Sequence, residues 1–339
     1  MYYMVVKQGV KKIFSFNNPD CIAFERTPNA KIEDWILNDD LRFPEIYDEI
    51  LQIERILIQR IFKDEDLYYR TLRKFPTVIL DIGLKTDVFG GKNQFEELYS
   101  NLKNLEGFEI INKYLYFSDV RMILHSIENL LLGLDADIIN YYLILSETQL
   151  LENSEINAIW KVNGSAAYSA ASSLSAYFTK AYSILDLITK LSFELQNLCS
   201  NFESYPKLKS TKILYGERKK LSNLKTNTIF EHDETIRIIE SIRHEVVHNG
   251  TWEAIPTIYI KVRNTLPVEK FMLFPDFKDG YYEKYVNRYH FYSKGKTANN
   301  ELPSIHKSFI KQVINTLRNL RIDCSDNAEH PVPVPGKKI

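Results

Sequence analysis

The sequence predicts a mainly α protein, with a C-terminal antiparallel helical bundle and an N-terminal α-rich module that carries a few short strands. Three observations support this. Glycine and proline number only 12 each in 339 residues, too few for an architecture built from many tight turns. Apolar residues recur at spacings of three and four through most of the chain. Short β-branched runs are confined to a few places, chiefly the first thirty residues and residues 75–85 (FPTVILDIGLK).

In chain order, the first strong helix is PEIYDEILQIERILIQRIF, residues 44–62. Ile46, Ile50, Ile53, Leu57 and Ile61 share one face behind a proline suited to a helix start. Further helices are expected over residues 94–105, 118–132 and 135–151. Residues 153–200 are almost free of breakers and read as helix, divided or bent at Asn163-Gly164. Shorter helices are expected at residues 217–225, 233–249 and 304–321, which with the preceding one make an antiparallel bundle. Residues 251–303 are long for a link inside a bundle and so are expected to hold structure or function of their own. Their first part, IPTIYIKV, reads as a strand. The expected organisation is an N-terminal module over 1–152, a bundle over 153–322 and an extended proline-rich tail over 323–339.

Composition narrows the function classes. With 45% hydrophobic and 26% charged residues, the chain is not a disordered, collagen-like or disulfide-stapled protein. The 43 basic and 44 acidic side chains balance, so any polyanion must be met by a local patch. Cys21, Cys199 and Cys324 are scattered, without the paired spacing of zinc or redox sites. The N-terminus does not read as a secretory signal, and no uncharged apolar run reaches the roughly 18 residues of a membrane span. A soluble, cytoplasmic protein without membrane contact is expected.

Chemistry concentrates in DETIRIIESIRHEVVHNG, residues 233–250. At about 100° per residue, Ile236, Ile239, Ile242, Val246 and Val247 form one apolar stripe with Arg243 near its middle. A guanidinium cannot shed its charge, so an arginine there must meet an anion, a carboxylate or a second chain. His244 and His248, four apart, project together at the edge of the same stripe. Asn249-Gly250 is a helix stop, which leaves His248 on the last turn, where the helix dipole favours a cation.

The run Arg243-His244-Glu245-Val246-Val247-His248, followed by Asn249-Gly250 on the third helix of a C-terminal bundle, resembles the R-x4-6-H motif of the HEPN superfamily. The resemblance covers roughly residues 153–322. It implies a small helical bundle, pairing by two-fold symmetry into a homodimer whose composite site cleaves RNA without a metal ion. It also implies a toxin-antitoxin or antiviral defence setting, with an antitoxin or regulatory protein as a further partner. Arg243 and His248 would be the catalytic pair, His244 would hold the polar position after the arginine, and no cofactor is implied. The chemistry suits these groups: cleavage needs a base for the 2'-hydroxyl proton and an acid for the leaving 5'-oxygen, His248 can act as either, and the Arg243 fork binds phosphate oxygens.

The same residues also spell H-E-x-x-H, in which His244 and His248 ligate zinc and Glu245 activates water. Its surroundings disfavour it. Thr251 and Ala254 stand where the extended form needs glycine and histidine, and Glu253 and Glu269 lie in loop or strand-like sequence. A purely structural alternative pairs Arg243 with a buried carboxylate such as Asp186. It shades into a catalytically silent bundle that binds RNA, nucleotide or a protein.

A second region bears on substrate. YYEKYVNRYHFYSKGK, residues 281–296, mixes aromatics with cations, as single-stranded RNA sites do, although a core-packing hairpin would read the same way. Asn249, Lys284, Arg288 and Tyr289 are the expected substrate contacts. Phosphate-cradling glycine loops and serine elbows are absent, which sets kinase, dehydrogenase and hydrolase readings aside.

Overall fold

A computed structural model describes residues 12–13, 24–26, 35–37, 42–74, 76–104, 107–149, 157–222, 224–250 and 253–329. Helices dominate it: α1 (Arg42–Phe62), α2 (Glu65–Leu72), α3 (Lys92–Leu102), α4 (Phe108–Glu147), α5 (Ser165–Gln196), α6 (Glu234–Asn249) and α7 (Ala298–Glu329). The strands are short and antiparallel. β1 (Lys12–Ile13), β2 (Phe24–Arg26) and β3 (Trp35–Leu37) form one sheet, and β4 (Asn157–Val162), β5 (Ile258–Arg263) and β6 (Leu266–Phe271) a second. β7 (Phe277–Lys278) and β8 (Tyr281–Tyr282) form a hairpin. Among the described residues no helix is long and apolar enough to cross a membrane.

The contact pattern divides the chain into two compact units interleaved in sequence, not at a single cut near residue 153, a position outside the described residues. One unit comprises Met1–Pro44, Asn129–Ile184 and Thr226–Val313; the other comprises Glu45–Glu128, Leu185–Lys225 and Ile314–Ile339.

The second of these units is built on α1. Its predicted apolar face is buried as expected, with Ile46, Ile50, Ile53, Leu57 and Ile61 all at most 4% exposed. Across it, Arg318 and Arg321 reach Glu49, and Arg60 donates to the Leu195 carbonyl at 2.9 Å. Glu194, fully buried, is satisfied by the Tyr116 hydroxyl at 2.7 Å and the Ser210 amide at 2.8 Å. Residues 75–85, expected as a strand, instead form a 3-10 turn at Thr77–Leu80. With no strand to pair with among the described residues, the run buries Ile79 beside Leu102, Ile111 and Leu115. The helix expected at 217–225 is likewise a 3-10 turn, Tyr215–Lys220.

The first unit contains the motif. Two helices expected at 118–132 and 135–151 prove to be parts of the single helix α4, because Gly133 does not break it. The glycine is a point of close approach: a Cβ there would sit 3.2 Å from Lys180, whose ammonium reaches the Gly133 carbonyl at 3.2 Å and Asp137 at 2.8 Å. The helix expected from residue 153 is corrected at its start. Residues 157–162 are strand β4, in continuous register with β5 from Asn157↔Arg263 to Val162↔Ile258. Gly164, at φ +106, turns the chain into α5. Long-range pairing with β5, itself foreseen as a strand, overrides a locally helical pattern. At the C-terminal end α7 begins six residues early and runs through Glu329, so the tail expected over 323–339 is helical to that point, and residues 330–339 lie outside the described set.

Candidate functional site

Helix α6 is sharply delimited. Asp233 caps its start by accepting from the Ile236 amide at 3.0 Å, and Gly250, left-handed at φ 89, closes its end with a bond from its amide to the Val246 carbonyl. The N-cap is itself anchored, since Gln312 of α7 donates to the other Asp233 oxygen at 2.8 Å. These contacts fix the rotation of the helix.

That rotation corrects one expectation. The buried side runs through Ile236, Ile238, Ile239, Ile242 and Glu245, so its centre lies about 70° from Arg243 on the helical wheel. Arg243 is therefore half-buried on the shoulder of the stripe, not in its middle, and Val247 is 49% exposed. The cause is the hairpin β7–β8, which covers the Ile238 side: Ser241 donates to the Gly280 carbonyl at 3.1 Å and Arg237 to the Asp279 carbonyl at 2.6 Å. Arg237 also holds the His232 carbonyl, at 2.7 Å. That leaves it as a loop clamp, although it too stands ahead of a histidine at a motif-like spacing.

Between α6, α5 and the hairpin lies a cleft of about 480 Å3. Arg243, His244, Glu245, Asn249, Lys284 and Tyr289 line it, together with Tyr182, Glu240, Ser241, Tyr281 and Tyr282. Five of the seven residues expected at the site on sequence grounds are thus gathered around one cavity. His248 and Arg288 are not among the lining residues. The His248 ring is exposed and packs on His244, with centroids 4.3 Å apart. Arg288 is exposed in a tight turn that it closes with Tyr285 through reciprocal backbone bonds of 2.8 and 2.9 Å.

On the cationic flank, the Arg243 guanidinium stacks on Tyr182 of α5 at 4.5 Å, and no described carboxylate pairs with it. Asp186, considered as its partner, accepts the Tyr215 amide at 2.7 Å. Lys284 is a second cation lining the cleft, without an ion pair among the described residues. Two further cations of the aromatic-basic stretch are ion-paired, Lys294 with Glu283 and Lys296 with Glu301.

The opposite flank is acidic and hydrogen-bonded. Glu245, 7% exposed, accepts the Asn249 amide at 2.8 Å and the Tyr289 hydroxyl at 3.4 Å. Asn249 also donates to the Tyr289 oxygen at 2.9 Å. Burial, reinforced by the Glu245 charge, raises the Tyr289 and Tyr282 hydroxyl pKa values. His290 Nε2 faces Glu245 at 3.9 Å without a hydrogen bond, and burial lowers its affinity for a proton against the pull of that carboxylate. For a zinc site, His244 and His248 are adjacent, but among the described residues no group of three histidine, cysteine or acidic side chains is placed to hold a metal.

Sequence reasoning missed Tyr182, Tyr282 and His290. Tyr182 carries no local mark and reaches the site from α5, while Tyr282 and His290 lie within the aromatic-basic run 281–296 without standing out from its other rings. Comparison with protein-family models, with curated proteins and with solved structures finds no match to this chain.

Proposed function

We propose that this chain is an endoribonuclease of the HEPN type, cleaving RNA by attack of the 2'-hydroxyl on its own phosphodiester. One observation carries the reading: a half-buried arginine, free of any described carboxylate and held on a tyrosine face, borders a cleft beside two adjacent imidazoles. Arg243 binds the phosphate oxygens and stabilises the charge that grows on them in the transition state. One imidazole of the His244–His248 pair takes the 2'-hydroxyl proton and the other delivers a proton to the departing 5'-oxygen. The products are a 2',3'-cyclic phosphate and a 5'-hydroxyl, and the balance needs no metal or cofactor.

A second copy of the chain completes the site in this proposal. Support comes from α6 itself, where half-exposed Val247 sits beside Arg243 and His248 faces outward. A toxin or antiviral defence role, with an antitoxin or regulatory partner, rests on the family resemblance of the Arg243–His248 run.

RNA incubated with the purified protein in EDTA is expected to be cut, leaving cyclic phosphate ends. Arg243→Ala and His248→Ala each lower kcat/KM by about a hundredfold or more. Full cleavage in both variants overturns the proposal. The position of His248 outside the cleft favours a second reading, a silent RNA-binding bundle, which predicts RNA retention without cutting and indifference to His248→Ala.

A further inference from the structure

The two flanks of the cleft differ in chemistry, and α6 sets their separation. Arg243 and Glu245 are two residues apart, about 200° around the helix, so they border the cleft from opposite sides with His244 between them. A ligand that fits both must carry an anion at one end and hydrogen-bond donors at the other. A nucleotide has that polarity: its phosphate meets Arg243, its sugar lies along His244, and its base edge reaches Glu245.

Resting on the reading of this cleft as an RNA site, we propose that Glu245 makes it selective for guanine. A carboxylate only accepts hydrogen bonds, on about four lone-pair sites. Asn249 occupies one on Oε2 at 2.8 Å and Tyr289 one on Oε1 at 3.4 Å, which leaves a site on each oxygen. No lysine or arginine among the described residues pairs with this buried carboxylate, so its donors there are the neutral Asn249 amide and Tyr289 hydroxyl, and His290 stands 3.9 Å away without a hydrogen bond. Guanine presents N1–H and the N2 amino group side by side, matching two carboxylate oxygens. Adenine and cytosine set one amino group beside a ring acceptor, and uracil flanks its single N–H with two carbonyls, so each brings an acceptor against Glu245. Asn249 and Tyr289 fix the carboxylate in place, and Tyr281, half exposed at the rim, offers a face for the base.

The test uses 3'-mononucleotides, which cannot be cleaved, so binding reads out independently of catalysis. By calorimetry on the full chain, 3'-GMP is expected to bind at least about tenfold more tightly than 3'-AMP, 3'-CMP or 3'-UMP. The inosine analogue, which lacks only the N2 amino group, loses most of that advantage without any change to the protein. Glu245→Gln brings the four nucleotides within about threefold of one another, whereas Arg243→Ala weakens all four alike. Equal binding of the four, no binding of any at millimolar concentration, or a guanine preference that survives in Glu245→Gln overturns the inference. A guanine preference without RNA cleavage upholds it while removing the ribonuclease reading. Cleavage after all four bases alike does the reverse.

Discussion

The Arg243 guanidinium lies 4.5 Å from the centroid of the Tyr182 ring, so a cation on α6 is held in place by an aromatic face on α5. Such a contact contributes about 0.5 to 2 kcal/mol, more where water is excluded. It also orders a side chain that otherwise samples many rotamers. Tyr182→Ala is therefore expected to lower kcat/KM for RNA by about threefold to thirtyfold, while Tyr182→Phe, which keeps the ring, stays near wild type. Equal losses in the two variants would assign the role to the hydroxyl instead.

Gly280 governs how closely the β7–β8 turn approaches α6. Its φ is +83, and a Cβ would fall 2.6 Å from Arg237 Cβ and 2.7 Å from the Glu234 carbonyl oxygen. Neither neighbour is the free end of a flexible chain. Gly280→Ala should cost about 1 to 3 kcal/mol in a urea titration, through both the strained backbone and the clash. Because Ser241 and Arg237 anchor this turn, the variant should also displace Tyr281 and Lys284 and weaken RNA binding even when folded.

Residues whose roles depend on one element were readable in the sequence; those that depend on two were not. The α1 stripe, the C-terminal stop of α6 and strand β5 follow from spacing and end signals within single segments. The wheel placed Arg243 and His244 correctly in order around α6, but not the direction of burial, since that is set by a hairpin forty residues downstream. β4 was misread for the same reason: its strand character comes from pairing with residues a hundred positions away. Gly133 stands where two helices are expected and one is found, and the passage of Lys180 explains a glycine there. Tyr182 carries no local signal, and His290 carries only that of the aromatic-basic run around it.

Asp276 holds the aromatic-basic segment in place from a buried position. Its carboxylate accepts from the Ser293 amide at 2.6 Å, the Ser293 hydroxyl at 2.7 Å and the Lys294 amide at 3.2 Å. Burial pushes its pKa up, but these donors outweigh burial and hold the group below its ordinary value. A depressed carboxylate stabilises the fold above its unfolded pKa, and that stability is lost as pH falls through the folded value. Asp276→Asn, which turns two acceptor oxygens into one, is expected to cost about 2 to 3 kcal/mol at neutral pH and less in acid. Chemical denaturation at pH 7 and pH 3 checks both the size and the direction.

Glu253 has the opposite sign. Burial drives its carboxyl up to about 7, against the Thr257 amide and the Tyr292 hydroxyl, which favour the charged form. Below the ordinary value of 4.5 the group is protonated in both folded and unfolded chains and contributes nothing to the balance. Between 4.5 and about 7 only the unfolded chain gives up its proton, so the folded state loses ground as pH rises. Above about 7 both forms are ionised and the loss is complete and constant. Glu253→Gln removes this dependence. The variant should match wild type at pH 4, gain progressively in melting temperature up to pH 7, and hold a fixed advantage at pH 8. An advantage that appears only in acid would place the carboxyl in a charge-stabilising environment instead.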